Sequence, residues 1–160
     1  MKQGTLRVGS ALSALMVAGA LGACGDNGVD ELDVDGPAVQ TTDSELGTIL
    51  ADAEGRTLYL FTEDSPGTST CVDECLEAWP AVGGDVEAAG EVDPDLLGTI
   101  ERPDGTTQAT YNDWPLYYYA DDAAPGELNG QGVNDVWWVV TPEGSPIEEM
   151  PEDDDGGVGY

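Results

Sequence analysis

The chain has 160 residues, room for one folded domain, and carries 33 Asp and Glu against 4 Lys and Arg. With so few cations it cannot displace counterions from phosphates, which excludes nucleic acid as a partner. It has no histidine, which removes Ser-His-Asp and Cys-His catalysis, c-type haem attachment and His-ligated zinc or copper.

Residues 1–23 read as a secretory signal peptide. Lys2 and Arg7 form a positive end, Val8–Ala23 is uncharged and rich in Ala, Leu, Val and Met, and small residues precede a cysteine. The apolar run is short for a transmembrane helix. Leu21-Gly22-Ala23-Cys24 resembles the lipobox of bacterial and archaeal lipoproteins. That resemblance implies a diacylglyceryl group on Cys24 and a chain held at the outer face of the cell membrane; the alternative is an ordinary secretory signal with Cys24 incidental. Each buried methylene adds about 0.8 kcal/mol, so two acyl chains anchor firmly. Removing the signal leaves Arg56 and Arg102 as the only cations. Such a surface is repelled from anionic lipid except through its anchor. The same charge predicts a protein stabilised by salt, as from a salt-loving source. Calcium binding by the carboxylates is the competing reading, but Asp33-Val34-Asp35-Gly36 is only a fragment of a calcium loop.

Residues 24–44 are acidic and lack aromatics, and read as a disordered spacer after the lipidated cysteine. Residues 45–145 read as the folded domain, and it repeats itself, over about 45–85 and 96–141. Leu46-Gly47-Thr48-Ile49 recurs as Leu97-Gly98-Thr99-Ile100, and a polar turn follows each. Leu58-Tyr59-Leu60-Phe61-Thr62-Glu63-Asp64 recurs as Leu116-Tyr117-Tyr118-Tyr119-Ala120-Asp121-Asp122, each followed by Pro-Gly. Thr48–Leu50 and Arg56–Thr62 flank a turn and read as a hairpin. Cys71–Trp79 reads as one short helix, with Thr70 placed to cap it and Pro80 to end it. Thr99–Arg102, Thr106–Tyr111 and Pro115–Ala120 repeat the β pattern, and Asp135–Thr141 is a strong strand with Trp137 and Trp138 on opposite faces. Residues 146–160 read as a disordered acidic tail. The fold class expected is mainly β, a small sandwich or barrel of two related β repeats with one short helix.

With the motifs Tyr59-x-Phe61-x-x-Asp64 and Tyr117-x-Tyr119-x-x-Asp122, with Cys71-x-x-x-Cys75-x-x-x-Trp79-Pro80, and with Tyr111-Asn112-x-Trp114-Pro115, the domain resembles the secreted-repeat lipoproteins that carry a Y-x-[FWY]-x-x-D motif. The resemblance implies an extracytoplasmic lipoprotein and no particular activity. In a strand, Tyr59 and Phe61 share a face, as do Tyr117 and Tyr119. Asp64 and Asp122 just past the strand ends can fix turns. The alternative is an aromatic cleft with two carboxylates, suited to a sugar, a cation or a cofactor. Cys71 and Cys75 stand close enough for a disulfide, which an oxidising exterior favours. A redox-active pair remains open, although a reactive cysteine wants a nearby cation and none is close in sequence. A copper site would need histidine, for which Met150 is a poor substitute. Trp79, Trp114 and Trp138 are further candidates for a binding face.

The expected role is a non-enzymatic, lipid-anchored envelope protein that binds or builds, with no catalytic or metal residues and no cofactor. Its partners are the membrane through Cys24 and an unspecified envelope protein or small molecule. The alternatives are an accessory in envelope electron transfer or thiol redox, and a hydrolase using Asp64 and Asp122.

Overall fold

The computed structural model describes residues 37–151, all within one compact unit. Its elements in chain order are β1 (Ala38–Ser44), β2 (Gly47–Asp52), β3 (Tyr59–Phe61), α1 (Glu74–Ala78), β4 (Glu87–Ala88), β5 (Leu97–Glu101), β6 (Thr107–Tyr111), β7 (Trp114–Pro115) and β8 (Trp137–Val139), with a 3-10 turn over Val133–Asp135. The strands form three small sheets, ordered β2-β1-β4, β3-β8 and β5-β6-β7. The protein is thus mainly β with two related repeats, as expected, and its described strands do not close into a barrel.

Three local readings change. The spacer does not reach residue 44: Ala38–Ser44 is strand β1, paired antiparallel with β2 from Val39↔Asp52 to Ser44↔Gly47. Val39 is fully buried, so an apolar residue outweighs its acidic surroundings once its strand has a partner. Residues 24–36 lie outside the described residues. The tail likewise starts later than 146. Gln131, buried, donates its Nε2 to the carbonyls of Ile147 and Glu149, and Ile147 N–H donates to the Val139 carbonyl. Residues 152–160 lie outside the described residues. The helix keeps only Glu74–Ala78, and Thr70 does not cap it: both the N–H and the hydroxyl of Thr70 donate to Asp64 Oδ1.

The expected hairpin is half present. Asp52 N–H donates to the Arg56 carbonyl and Leu58 N–H to the Leu50 carbonyl, so the turn forms. Beyond it, β3 leaves β2 and pairs with β8 at the other end of the chain. The Leu-Gly-Thr-Ile copies are also not equivalent. The first enters β2, whereas the second opens β5, the strand that pairs with its neighbour as β1 does. The sharp turn between β6 and β7 uses Asn112 and Asp113 at φ 50 and 67°, residue types that tolerate the left-handed region a two-residue hairpin turn demands.

The two repeats are interlocked. Tyr59 and Tyr117 exchange both backbone hydrogen bonds, each 2.9 Å. Around this pair each repeat lends its last strand to the other: Val139 pairs with Tyr59, and Ala81 with Tyr117. Leu50 N–H donates to the Val140 carbonyl and Ala109 N–H to the Val82 carbonyl, both at 2.8 Å. This is the reciprocal pattern of a two-fold interface, written into one chain. The central strands alternate between two cores. Leu58, Leu60, Leu116, Val82 and Val140 face the first; Tyr59, Tyr117, Trp137 and Val139 face the second.

Candidate functional site

The second core centres on an aromatic stack that follows the same two-fold logic. Trp79 and Trp137 lie face to face, 3.8 Å between centroids and 2° between planes. Phe61 stacks on Trp137 at 4.2 Å and Tyr119 on Trp79 at 4.2 Å. Tyr59 meets Trp79 edge-on at 5.4 Å, and Tyr117 meets Trp137 edge-on at 5.1 Å. Such arrangements add about 0.5–1.5 kcal/mol per pair beyond the area they bury. Each repeat thus supplies a Tyr, a second aromatic two residues on, and a Trp.

The motif carboxylates tie the repeats crosswise. Tyr117 of the second repeat donates its hydroxyl to Asp64 Oδ2 of the first at 2.7 Å, and Tyr59 of the first donates to Asp122 Oδ2 of the second at 2.7 Å. The other oxygen of each carboxylate braces its own loop. Asp64 Oδ1 accepts from Thr70 N–H at 2.7 Å, and Asp122 Oδ1 from Asn129 N–H at 2.9 Å. Burial, reinforced by the Asp122 carboxylate, pushes the Tyr59 phenol far above its ordinary value. Burial and Asp64 push Tyr117 up to about 12, although its Ser69 bond pulls the other way. Burial also raises the Asp122 carboxyl, against the opposing pull of its Tyr59 and Asn129 bonds. The two carboxylates occupy separate loops, each engaged by the opposite repeat's tyrosine, so each acts as a latch between the repeats. Gly130 lies at the latch: its N–H donates to the Tyr59 hydroxyl at 3.2 Å, and a Cβ there would come within 2.8 Å of both Trp79 and Tyr59.

Cys71 and Cys75 form a disulfide, with Cα atoms 5.3 Å apart. Cys71 is buried and Cys75 half-buried. Cys75 opens onto a groove of about 450 Å³ beside the stack. Trp79 and Trp137 form the buried floor, Phe61 and Val136 are partly exposed, and Glu63, Glu74 and Asn134 stand at the rim. Neither rim glutamate has an ion pair among the described residues. Of the two described arginines, Arg56 pairs with Asp52 at 2.9 Å and stacks over Tyr118 at 4.1 Å. Arg102 is buried and donates to Ser69, Gln108 and the Cys71 carbonyl.

The structure therefore brings together Tyr59, Phe61, Asp64, Trp79, Tyr117, Tyr119, Asp122 and the disulfide. Trp138 is buried outside the stack, and Trp114 packs on the first core; neither lines the groove. Cys24 lies outside the described residues. Two residues were missed by sequence reasoning. Trp137 follows Trp79 at the interval that carries Tyr59 to Tyr117, so repeat spacing was signal enough to find it. Arg102 left no comparable signal. No group of acids and cysteines among the described residues could hold a metal ion.

This crosswise duplication of Tyr, aromatic and Asp agrees with the comparison to known families. The model of a family described as a secreted repeat of unknown function matches twice, over residues 40–83 and 98–141. The matches cover more than half of the chain, and the chain belongs to this family. Its description puts the domain on the extracytoplasmic side, and the matched boundaries coincide with the interlocked repeats. No curated protein and no solved structure matches. Among the described residues, no helix is long and apolar enough to cross a membrane.

Proposed function

We propose that this is a non-enzymatic envelope module, anchored by a lipid on Cys24, that binds an organic cation in the groove over the aromatic stack. The groove carries the reading: an aromatic floor edged by Glu63 and Glu74, on a chain whose described cations are both engaged elsewhere. A ligand with an apolar body and a positive head satisfies both walls, and desolvation at the floor strengthens its attraction to the carboxylates. The interlocked repeats give this face a rigid base, which lowers the ordering cost of binding.

Two measurements test the proposal. Detergent phase partitioning of the expressed chain should place the wild type in the detergent phase and Cys24→Ala in the aqueous phase; an unlipidated mass for the wild type defeats the anchor. Titration with benzyltrimethylammonium should change Trp emission, and Glu63→Gln with Glu74→Gln should weaken the apparent affinity about ten-fold, equivalent to about 1.4 kcal/mol. An unchanged emission, or equal binding by the double variant, defeats the cation reading.

A further inference from the structure

Arg102, the first residue after β5, is 5 % exposed. Its guanidinium touches only neutral acceptors among the described residues: Ser69 Oγ at 2.8 Å, Gln108 Oε1 at 2.5 Å and the Cys71 carbonyl at 2.6 Å. Its hydrogen bonds reach an anion, Asp64, only through two hydroxyls, and Asp104, exposed two residues on, acts on it only through space. The Tyr117 proton goes to Asp64, so the Ser69 hydroxyl donates to Tyr117 at 2.6 Å. A buried cation without a directly bonded anion is costly to hold, and this one is fixed on the backbone of a disulfide cysteine. Tertiary contact thus brings a cation, of the kind a reactive cysteine wants, onto the Cys71 carbonyl from 31 residues along the chain.

The two sulfurs sit in different surroundings. Cys71 is 1 % exposed and backed by Arg102. Cys75 is half-buried and opens to the groove between Glu63 and Glu74. In thiol–disulfide exchange the accessible sulfur is attacked, and the sulfur that better carries negative charge leaves faster. We propose that Cys71–Cys75 is a thiol–disulfide exchange site, entered at Cys75 from the groove, with Cys71 leaving as a thiolate stabilised by Arg102.

The step balances with a dithiol as reductant. One thiolate of the dithiol attacks Cys75 Sγ, forming a mixed disulfide; the Cys71–Cys75 bond breaks and its electron pair remains on Cys71 Sγ. The second thiolate of the dithiol then attacks its own partner sulfur and releases Cys75. Two electrons pass into the protein, which becomes a dithiol, and the reductant leaves as a disulfide. The charges around the pair select the reductant. Arg102 lies behind it, while Glu63 from β3's loop and Glu74 on α1 line the approach. An anionic thiol is repelled there, and a neutral or cationic one is admitted. The inference shares its groove with the binding reading but needs no stably bound ligand, so either can fail alone.

The test uses the native, oxidised chain. Brief exposure to cysteamine or to glutathione at matched thiolate concentration, followed by acid quench and peptide mass mapping, should place the adduct on Cys75. The yield should be at least ten-fold higher with the cationic thiol. Dithiothreitol should reduce the pair without unfolding the domain, judged by its near-ultraviolet dichroism. Arg102→Gln should slow that reduction about ten-fold, whereas a merely loosened structure would expose the disulfide and speed it. Adducts on Cys71, equal yields from the two thiols, reduction only after denaturation, or faster or unchanged reduction of Arg102→Gln would each overturn the proposal. If that variant does not fold, the adduct map of the wild type decides alone.

Discussion

Removing one hydroxyl from each latch should destabilise the domain unequally. Tyr117→Phe deletes the donor to Asp64 Oδ2 and the acceptor of the Ser69 hydroxyl. A hydrogen bond to a charged group contributes about 1.5–3 kcal/mol, and a buried acceptor left unpaired adds its desolvation cost. Asp64 is only 5 % exposed, so water cannot replace the lost donor, and the expected loss is about 3 kcal/mol. Tyr59→Phe deletes the donor to Asp122, which is half-buried, and the acceptor of the Gly130 N–H. Water reaches that carboxylate and the Gly130 bond is a long one at 3.2 Å, so the loss should be about 1.5 kcal/mol. For a folded part of this size the corresponding drops in Tm are on the order of 15 °C and 8 °C. Tyr119→Phe serves as the control, because its ring ends the stack and stays partly exposed; it should change stability by less than about 0.5 kcal/mol. Urea melts of the three variants in one salt concentration measure all of this. Equal losses, the reverse order, or losses near the control would show that the crosswise bonds do not hold the repeats together.

Alkali should unfold the protein through the same two phenols and through Tyr118. All three stay protonated in the fold above their ordinary value, chiefly through burial, Tyr117 and Tyr118 up to about 12. The unfolded chain releases those protons near pH 10, so their stabilisation is complete below that pH and falls as pH rises. The slope is about 1.4 kcal/mol per pH unit for each phenol; urea midpoints at pH 9, 10 and 11 that do not fall contradict it. Salt should stabilise the fold, since 33 acids face 4 cations and molar salt shortens the screening length to about 3 Å. Thermal melts that show no gain in Tm from low to molar salt remove the link between this charge and a saline environment.

Much of the site was legible because the repeat writes it twice. The recurrence of Tyr-x-aromatic-x-x-Asp in the same order located the strands, the shared face of Tyr59 and Phe61, and the turn role of the carboxylates. The disulfide followed from spacing. Identity of four letters was less trustworthy than interval: Leu-Gly-Thr-Ile matched across strands that are not equivalent, whereas the interval from Tyr59 to Tyr117 also carries Trp79 to Trp137. β1 was hidden because a strand's burial depends on its partner, and composition reports only its acidic neighbours.

The sequence by itself determined the β class, the duplication, the aromatic and acidic residues of each copy, and a surface nearly bare of cations, because period, residue type and charge are local properties. Tertiary structure alone decided how the copies combine. Strand pairing is free to join distant segments, so Val139 completes the first repeat and Ala81 the second. That exchange is what carries Tyr117 to Asp64, Tyr59 to Asp122, Trp79 to Trp137 and Arg102 to Cys71. Each of these contacts spans dozens of residues, and no local pattern in the chain encodes its partner.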